Sequence, residues 1–511
     1  MTDWTSGYVA DIGYTFGYYG ELNPLRAKFA LTLQGVACGE FENACELGFG
    51  QGISINVHAA ASSAEWMGTD FNPAQASMAA ELASASGAKL RVFDEAFEEF
   101  AARDDLPSFD FIGLHGIWSW ISDSNRDVIA QFVRRRLKIG GVLYVSYNTL
   151  PGWATFAPMR HLMTQHVELA SAEGLGTVGR VDAALAFADR LLGTEPAFLK
   201  VNPVVAERMS AVRQQNRQYL AHEYFNRDWH PMYFAQMAQW LEPAKVQYAG
   251  SAHMLDQIDV LNLTPAQQAM LAEVTSPELK EGVRDFMVNQ QFRRDYWVKG
   301  MRRLSALEQV ETLRGMRVML TVPRDAVVLK ATGAVGSADL HAGVYGPILD
   351  ALADPKPRTV AQLEKSIDGR GITPAQFTQA LMILAGTGQL VPVQDDAVAT
   401  KAKRATDKLN AKLLLRARSS GDIQYLASPM SGGAVLVPRF QQIFLLARSQ
   451  GLRTPEEWAR FTWQQLDMQG QRLVKDGQTL NTAEENLASL ETQAREFAEK
   501  SLPILKTLQI A

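Results

Sequence analysis

Between Glu46 and Gly52 the sequence reads Glu-Leu-Gly-Phe-Gly-Gln-Gly, three glycines at alternate positions directly after a short apolar run. Glycine tolerates positive φ and carries no Cβ, so such a turn lets the backbone approach a bound molecule closely. A nicotinamide-cofactor fingerprint, Gly-x-Gly-x-x-Gly, fails here, because its third glycine falls on Ile53 when counted from Gly48 and on Ile55 when counted from Gly50. The other side chains with chemical potential are aromatics and histidines near the ends of apolar runs. Tyr14, Phe16, Tyr18 and Tyr19 precede the glycine turn, His115, Trp118 and Trp120 follow residues 109–114, and Tyr147 and Trp153 follow residues 141–146. Cys38 and Cys45 lack zinc-ligand spacing and read as buried, reduced thiols. His222 and His230 are not at the four-residue spacing of a helical metal motif, so no metal is expected and a polar network at a substrate entrance is the better reading.

The elements that must position these residues follow from pattern. Residues 43–47, 65–68, 90–93, 109–114 and 141–146 are short and β-rich, and the segments between them, such as 73–86 and 126–137, have helix-forming composition. That alternation predicts an α/β, doubly wound sheet with its ligand outside the strand C-termini. Residues 147–245 read as a helical insertion, since a structureless loop of that length is implausible. Strand character returns at 245–249 and again within 292–322, which predicts the last one or two strands of the sheet. Beyond residue 331 the order helix, helix, longer helix, strand predicts a winged-helix-like module, followed by a mainly α region.

With 511 residues the chain has length for two to four domains, and 47% hydrophobic with 21% charged residues excludes disorder and disulfide-scaffold classes. A net charge of −5 supplies no global field for phosphate backbones. The first residues show no basic and apolar leader pattern, and no run reaches the ~20 apolar residues of a membrane span, so a cytoplasmic location is expected. Residues 401–418 are the exception in charge, with seven Lys or Arg and one Asp, a stretch able to face an acidic partner or to form a solvated helix face.

The glycine turn with its leading acid, Glu46-x-Gly48-x-Gly50-x-Gly52, resembles motif I of class I S-adenosylmethionine-dependent methyltransferases. Asp70, Asp94 and the stretch from Asp110 to His115 stand in order where that family has its next landmarks. Residues 114–121 (Leu-His-Gly-Ile-Trp-Ser-Trp-Ile), 140–153 and the stretch from His222 to Pro231 narrow the likeness to bacterial members with a methyltransferase regulatory domain, the group of the rickettsial outer-membrane-protein lysine methyltransferases.

The resemblance implies S-adenosylmethionine as cofactor, held by Glu46, Gly48, Gly50, Gly52, Asp70, Asp94 and His115, with Asp70 accepting from the ribose hydroxyls and Asp94 near the adenine amine. It implies protein-lysine methylation, and His115, Tyr147 and Trp118, which follow strand ends facing the expected crevice, are the catalytic candidates. His115 is placed to position the substrate, accept a proton or anchor its loop. Methylation of a small molecule or polysaccharide is the alternative enzyme activity, and a cofactor-sensing, nucleic-acid-binding regulator the alternative of another class. Domains are expected at 1–325 (the methyltransferase domain, with the insertion at about 150–244), 326–400 (the winged-helix-like regulatory domain) and 401–511 (the helical C-terminal domain). The expected partner is a protein substrate. Apolar faces on the insertion leave room for a homodimer, and neither nucleic acid nor a membrane span is expected.

Overall fold

Near-continuous apolar sequence is stable in a strand only where both faces are covered, and the central runs of this chain meet that condition. β1 (Asn43–Leu47) and β4 (Phe109–Leu114) are buried almost throughout, and so is β5 (Leu137–Asn148) from residue 141 onward. With β2 (Glu65–Thr69), β3 (Leu90–Phe93), β6 (Val246–Ser251) and β7 (Phe292–Lys299) they form a seven-stranded sheet of order β3-β2-β1-β4-β5-β7-β6, in which only β7 runs against its neighbours. The computed structural model describes residues 8, 9, 12, 13 and 15–511. Tyr14, one of the aromatics singled out above, lies outside them.

Helices cover both faces. α1 (Pro24–Leu33), α2 (Ile53–Ala61) and α3 (Pro73–Ser86) lie on the face of Phe111, Tyr144 and Tyr296, while α4 (Phe97–Ala102) and α5 (Asp123–Arg136) lie on the face of Ile112, Leu143 and Val145. Local chemistry sets their ends. Asn72 accepts from the Ala74 N–H at 3.0 Å with Pro73 in the first turn, and Gly87, at φ +65°, closes α3 in the left-handed conformation. Cys45 is buried in β1, and burial pushes the thiol of half-buried Cys38 up to about 12.

The insertion after β5 is helical, as expected, and has its own core of Trp153, Phe156, Met163, Leu185 and Met209. Met232 returns the chain to the sheet, donating to the Asn148 carbonyl at 2.9 Å and accepting from Leu150 N–H at 3.2 Å.

Only β7, of residues 292–322, joins the main sheet. β8 (Arg317–Leu320), before the expected boundary at 325, pairs instead with β11 (Arg358–Thr359) and β12 (Leu390–Val393), which frame the winged-helix-like module after the hairpin of β9 (Lys330–Gly333) and β10 (Gly336–Asp339). The long helix of that module, Pro374–Gly386, packs on the segment that follows β6: a Cβ on Gly386 would lie 2.8 Å from Leu255. Asp396–Ala417, which holds most of the basic stretch, likewise packs inward by its apolar edge, while Lys401, Arg404 and Lys408 stay exposed. Leu409 and Leu413 share a core with Ile53 and Val57 of α2 and Leu82 of α3, and Lys412 pairs with Glu81 at 2.6 Å. The hairpin of β13 (Tyr425–Ser428) and β14 (Gly433–Leu436), a second short hairpin of β15 (Val474–Lys475) and β16 (Gln478–Thr479), and four further α-helices complete this region. No helix among the described residues is long and apolar enough to cross a membrane.

Candidate functional site

The strand order reverses between β1 and β4, and the loops that leave those strands open a cleft at their C-terminal ends. Its volume is about 800 Å³. The three glycines of the turn have two different tasks there. All are left-handed, at φ +70°, +57° and +74° for Gly48, Gly50 and Gly52. A Cβ on Gly48 would strike Ile117 at 2.4 Å, and one on Gly52 would strike Ala79 at the same distance, so both glycines serve close packing. Around Gly50 the space is free, the nearest atom belonging to the Gln75 side-chain amide at 4.0 Å. It is the one glycine of the three that faces open space.

Asp70 supports this turn from the end of β2. Its Oδ2 accepts from Gly50 N–H at 2.8 Å and its Oδ1 from Asn72 N–H at 3.0 Å, and the Gln75 amide, oriented with its nitrogen inward, donates to both oxygens at 3.1 Å. Burial pushes the carboxyl up to about 7, against the opposing pull of the two backbone donors. Glu46 lies deeper, 2% exposed, and its Oε2 has no hydrogen-bond partner among the described residues. Burial first, and the Asp70 charge second, hold its pKa well above the usual carboxylate range. A buried acceptor without a donor costs free energy, and a ligand hydroxyl or amine at this point relieves it.

His115 lines the cleft as well. Its ring stacks on Tyr19 at 3.5 Å and 18°, and Nδ1 meets the Tyr144 hydroxyl at 2.7 Å. Burial lowers its pKa to about 4, so the imidazole is neutral near pH 7.

The structure does not bring every predicted residue to the cleft. Tyr147 is buried on the other face of β5, where its hydroxyl donates to Asp295 at 3.0 Å. Side chains alternate along a strand, so the residue that reaches the cleft from this position is the next one, Asn148. It is 5% exposed and its Nδ2 has no partner among the described residues. Trp118 is fully buried in the core below β4 and β5, and Asp94 is exposed just past β3; neither lines the cleft, although Trp120 and Trp153 do. The N-terminal aromatics divide, Tyr19 toward the cleft and Phe16 and Tyr18 toward the C-terminal core.

The insertion supplies the opposite wall, with Glu207, Arg208, Tyr219 and Glu223. Arg208 lies over the Trp153 ring at 4.0 Å. Glu223 faces Tyr8, Tyr19 and Tyr219; burial and this carboxylate together push the Tyr219 hydroxyl up to about 12. His222 is buried, with Nε2 3.3 Å from the Ile12 carbonyl, whereas His230 meets Asp228 at 3.5 Å. Sequence reasoning missed Asn148, Glu207 and Arg208. The period-two pattern of β5 carries the signal for Asn148; nothing local marks the other two.

Residues 44–141 match the methyltransferase domain family, and residues 216–299 match the predicted methyltransferase regulatory domain. The second match covers the end of the insertion with β6 and β7; the winged-helix-like module lies outside it. The uncharacterized protein sll1526 of Synechocystis is 40% identical over 99% of this chain and 100% of its own length. The uncharacterized protein RP789 of Rickettsia prowazekii is 26% identical over 56% of this chain and 53% of its own. The structure of PKMT2 from Rickettsia typhi, determined in complex with AdoHcy, has the same fold over 98% of this chain and 100% of its own, with a TM-score of 0.70 at 17% identity.

Proposed function

We propose that this chain, which belongs to the S-adenosylmethionine-dependent methyltransferases with a methyltransferase regulatory domain, methylates the side-chain amine of lysine in a protein acceptor. The observation that carries the reading is the charge of the cleft. Among the described residues Glu207 and Glu223 line its insertion end against one guanidinium, that of Arg208, with His115 held neutral, while the buried carboxyls of Glu46 and Asp70 line the other end and become charged as a cation or hydrogen-bond donors reach them. Such a lining suits a cationic cofactor at one end and an amine at the other.

The residues present fit S-adenosylmethionine, which when bound supplies a methyl group already activated on a sulfonium. Gly50 leaves backbone-close space, Asp70 offers acceptors for ribose hydroxyls beside it, and Glu46 offers an unpaired buried acceptor. His115 and Tyr19, stacked on one another, form a flat apolar wall between the cofactor end and the insertion end. Asn148 presents an amide donor to the same space. On the far side, Glu207 and Glu223 attract a lysine ammonium, and the aromatic walls favour its neutral form, the one able to act as a nucleophile. PKMT2, which shares the fold, supports this assignment by likeness.

The test is transfer of tritiated methyl from S-adenosylmethionine by the full-length protein to a fractionated lysate, with mass spectrometry of the labelled fraction. Methylated lysine in a protein band is the expected result. Label confined to small molecules or polysaccharide refutes the lysine assignment and leaves the methyltransferase reading standing.

A further inference from the structure

The segment ahead of α1 has two edges with different neighbours. Thr15, Gly17 and Tyr19 line the cleft, and Tyr19 lies on His115. Phe16 and Tyr18, out of step by one residue, meet the far C-terminal region. The Arg416 guanidinium sits 4.3 Å from the Phe16 ring centre, and the Tyr18 ring packs 5.0 Å from Tyr425. The Tyr18 hydroxyl accepts from the Ala434 N–H at 2.9 Å, across 416 residues of sequence. Asn23 Nδ2 donates to the Ser431 carbonyl at 3.0 Å, while its Oδ1 caps α1 by accepting from Leu25 and Arg26 N–H.

Residue 433 is a glycine for reasons of space. A Cβ there would lie 2.4 Å from the Tyr18 hydroxyl and 2.5 Å from Asn23 Nδ2. On the opposite side α2 holds the same segment, with Ser54 Oγ accepting from Tyr19 N–H at 2.9 Å and His58 Nε2 3.4 Å from the Tyr19 carbonyl. The segment is therefore clamped between the helix that follows the glycine turn and the β13–β14 hairpin.

We infer that the hairpin sets the position of the Thr15–Tyr19 wall of the cleft, with Tyr18 and Gly433 as positioning residues that touch neither cofactor nor acceptor. The inference rests on the cleft being the cofactor site. Displacing Tyr18 moves Tyr19 through one peptide bond and takes its ring off His115, so the C-terminal region controls ligand affinity from outside the cleft. This role differs from general support of the fold, because its effect passes through one side chain, Tyr19.

The experiment is a double-mutant cycle on the full-length protein, reading S-adenosylhomocysteine affinity by calorimetry and folding by a thermal melt. Gly433→Ala is expected to weaken binding at least tenfold with a cooperative melt retained. In a Tyr19→Ala background the same substitution is expected to cause no further loss. Tyr18→Phe, which keeps the ring and loses only the bond to Ala434, is expected to weaken binding about three- to tenfold, the worth of one neutral hydrogen bond; it carries the same cycle if Gly433→Ala does not fold. Losses that add to that of Tyr19→Ala, or unchanged binding in both single variants, overturn the positioning role while the cofactor reading stands. Absence of binding by the unsubstituted protein refutes both.

Discussion

Asp70→Asn is the perturbation that tests the cofactor end of the cleft most directly. In the unliganded protein burial holds this carboxyl at about 7, while Gly50 and Asn72 donate to it. Hydroxyl donors from a ribose favour the ionised form, so binding lowers the pKa and releases a proton wherever the free carboxyl is protonated. The sign follows: affinity for S-adenosylhomocysteine rises with pH, by up to about tenfold per unit below 7, and levels off above it. The asparagine variant keeps a single carbonyl acceptor and no charge. Loss of charge-assisted hydrogen bonds worth about 1.5–3 kcal/mol predicts a roughly 10–100-fold weaker Kd at neutral pH. Calorimetry near pH 6 in buffers of different ionisation enthalpy counts the protons, with about one released by the unsubstituted protein and none by the variant. A pH-independent affinity without proton release, or a variant that keeps the slope, refutes the assignment of Asp70 to the ribose.

The glycines separate in the same assay. Gly50→Ala is expected to cost about 1 kcal/mol of stability through its left-handed φ and yet to abolish cofactor binding, whereas Gly52→Ala, pressed against Ala79, is expected to show its main effect in the melt. Tyr147→Phe is expected to cost about 1–2 kcal/mol in denaturant unfolding by removing the bond to Asp295, with the methylation rate unchanged, since the side chain lies outside the cleft; His115→Ala is expected to lower the rate instead. A fragment ending at residue 323 is expected to show no cooperative melt. It exposes Ile53, Val57 and Leu82, whose burial is worth roughly 5–9 kcal/mol together, a large part of ordinary domain stability.

What the sequence discloses and what it hides differ by range. β1 and β4 are legible to the residue because burial on both faces writes a short apolar run with sharp ends, and β3, a half-buried edge strand, because its β-branched and aromatic residues stand between polar segments. The glycine turn and Asp70 are legible for a similar reason: backbone conformation and close approach demand particular residues at fixed positions. β5 extends past the apolar run at both ends, and the overlooked end delivers Asn148 to the cleft. Alternation tells Tyr147 from Asn148, yet which face becomes cleft and which becomes core depends on what packs there. Here that is Asp295 of β7, distant in sequence. The strand at 317–320 looks like another member of the main sheet because its pattern is the same in either sheet; its partners at 358–359 and 390–393 decide the matter. The basic stretch is legible as a solvated helix face, and Lys401, Arg404 and Lys408 are exposed; what a count of charge hides is the neighbours of the same helix. Lys412 in fact meets Glu81, and the apolar edge of the same helix covers α2 and α3.

The charge layout of the cleft also explains why its histidine is kept neutral. A protonated His115 would stand between the carboxyls of the glycine turn and those of the insertion, and would compete at both ends for the sites that suit a cation. Burial against Tyr19 and Tyr144 removes that charge at neutral pH, although Glu21 pulls the other way. Glu207 and Glu223 then remain as the acids on the acceptor side, with Arg208 turned onto the Trp153 ring. On the proposed reading, they hold positive charge whether an acceptor lysine arrives as an ammonium or leaves methylated. Replacing Glu223 by glutamine is therefore expected to raise the KM for a lysine acceptor while leaving S-adenosylhomocysteine affinity within about twofold, the split that marks a group acting on one ligand only. Equal loss in both measurements would place Glu223 in the common architecture of the cleft and remove the electrostatic argument for an amine.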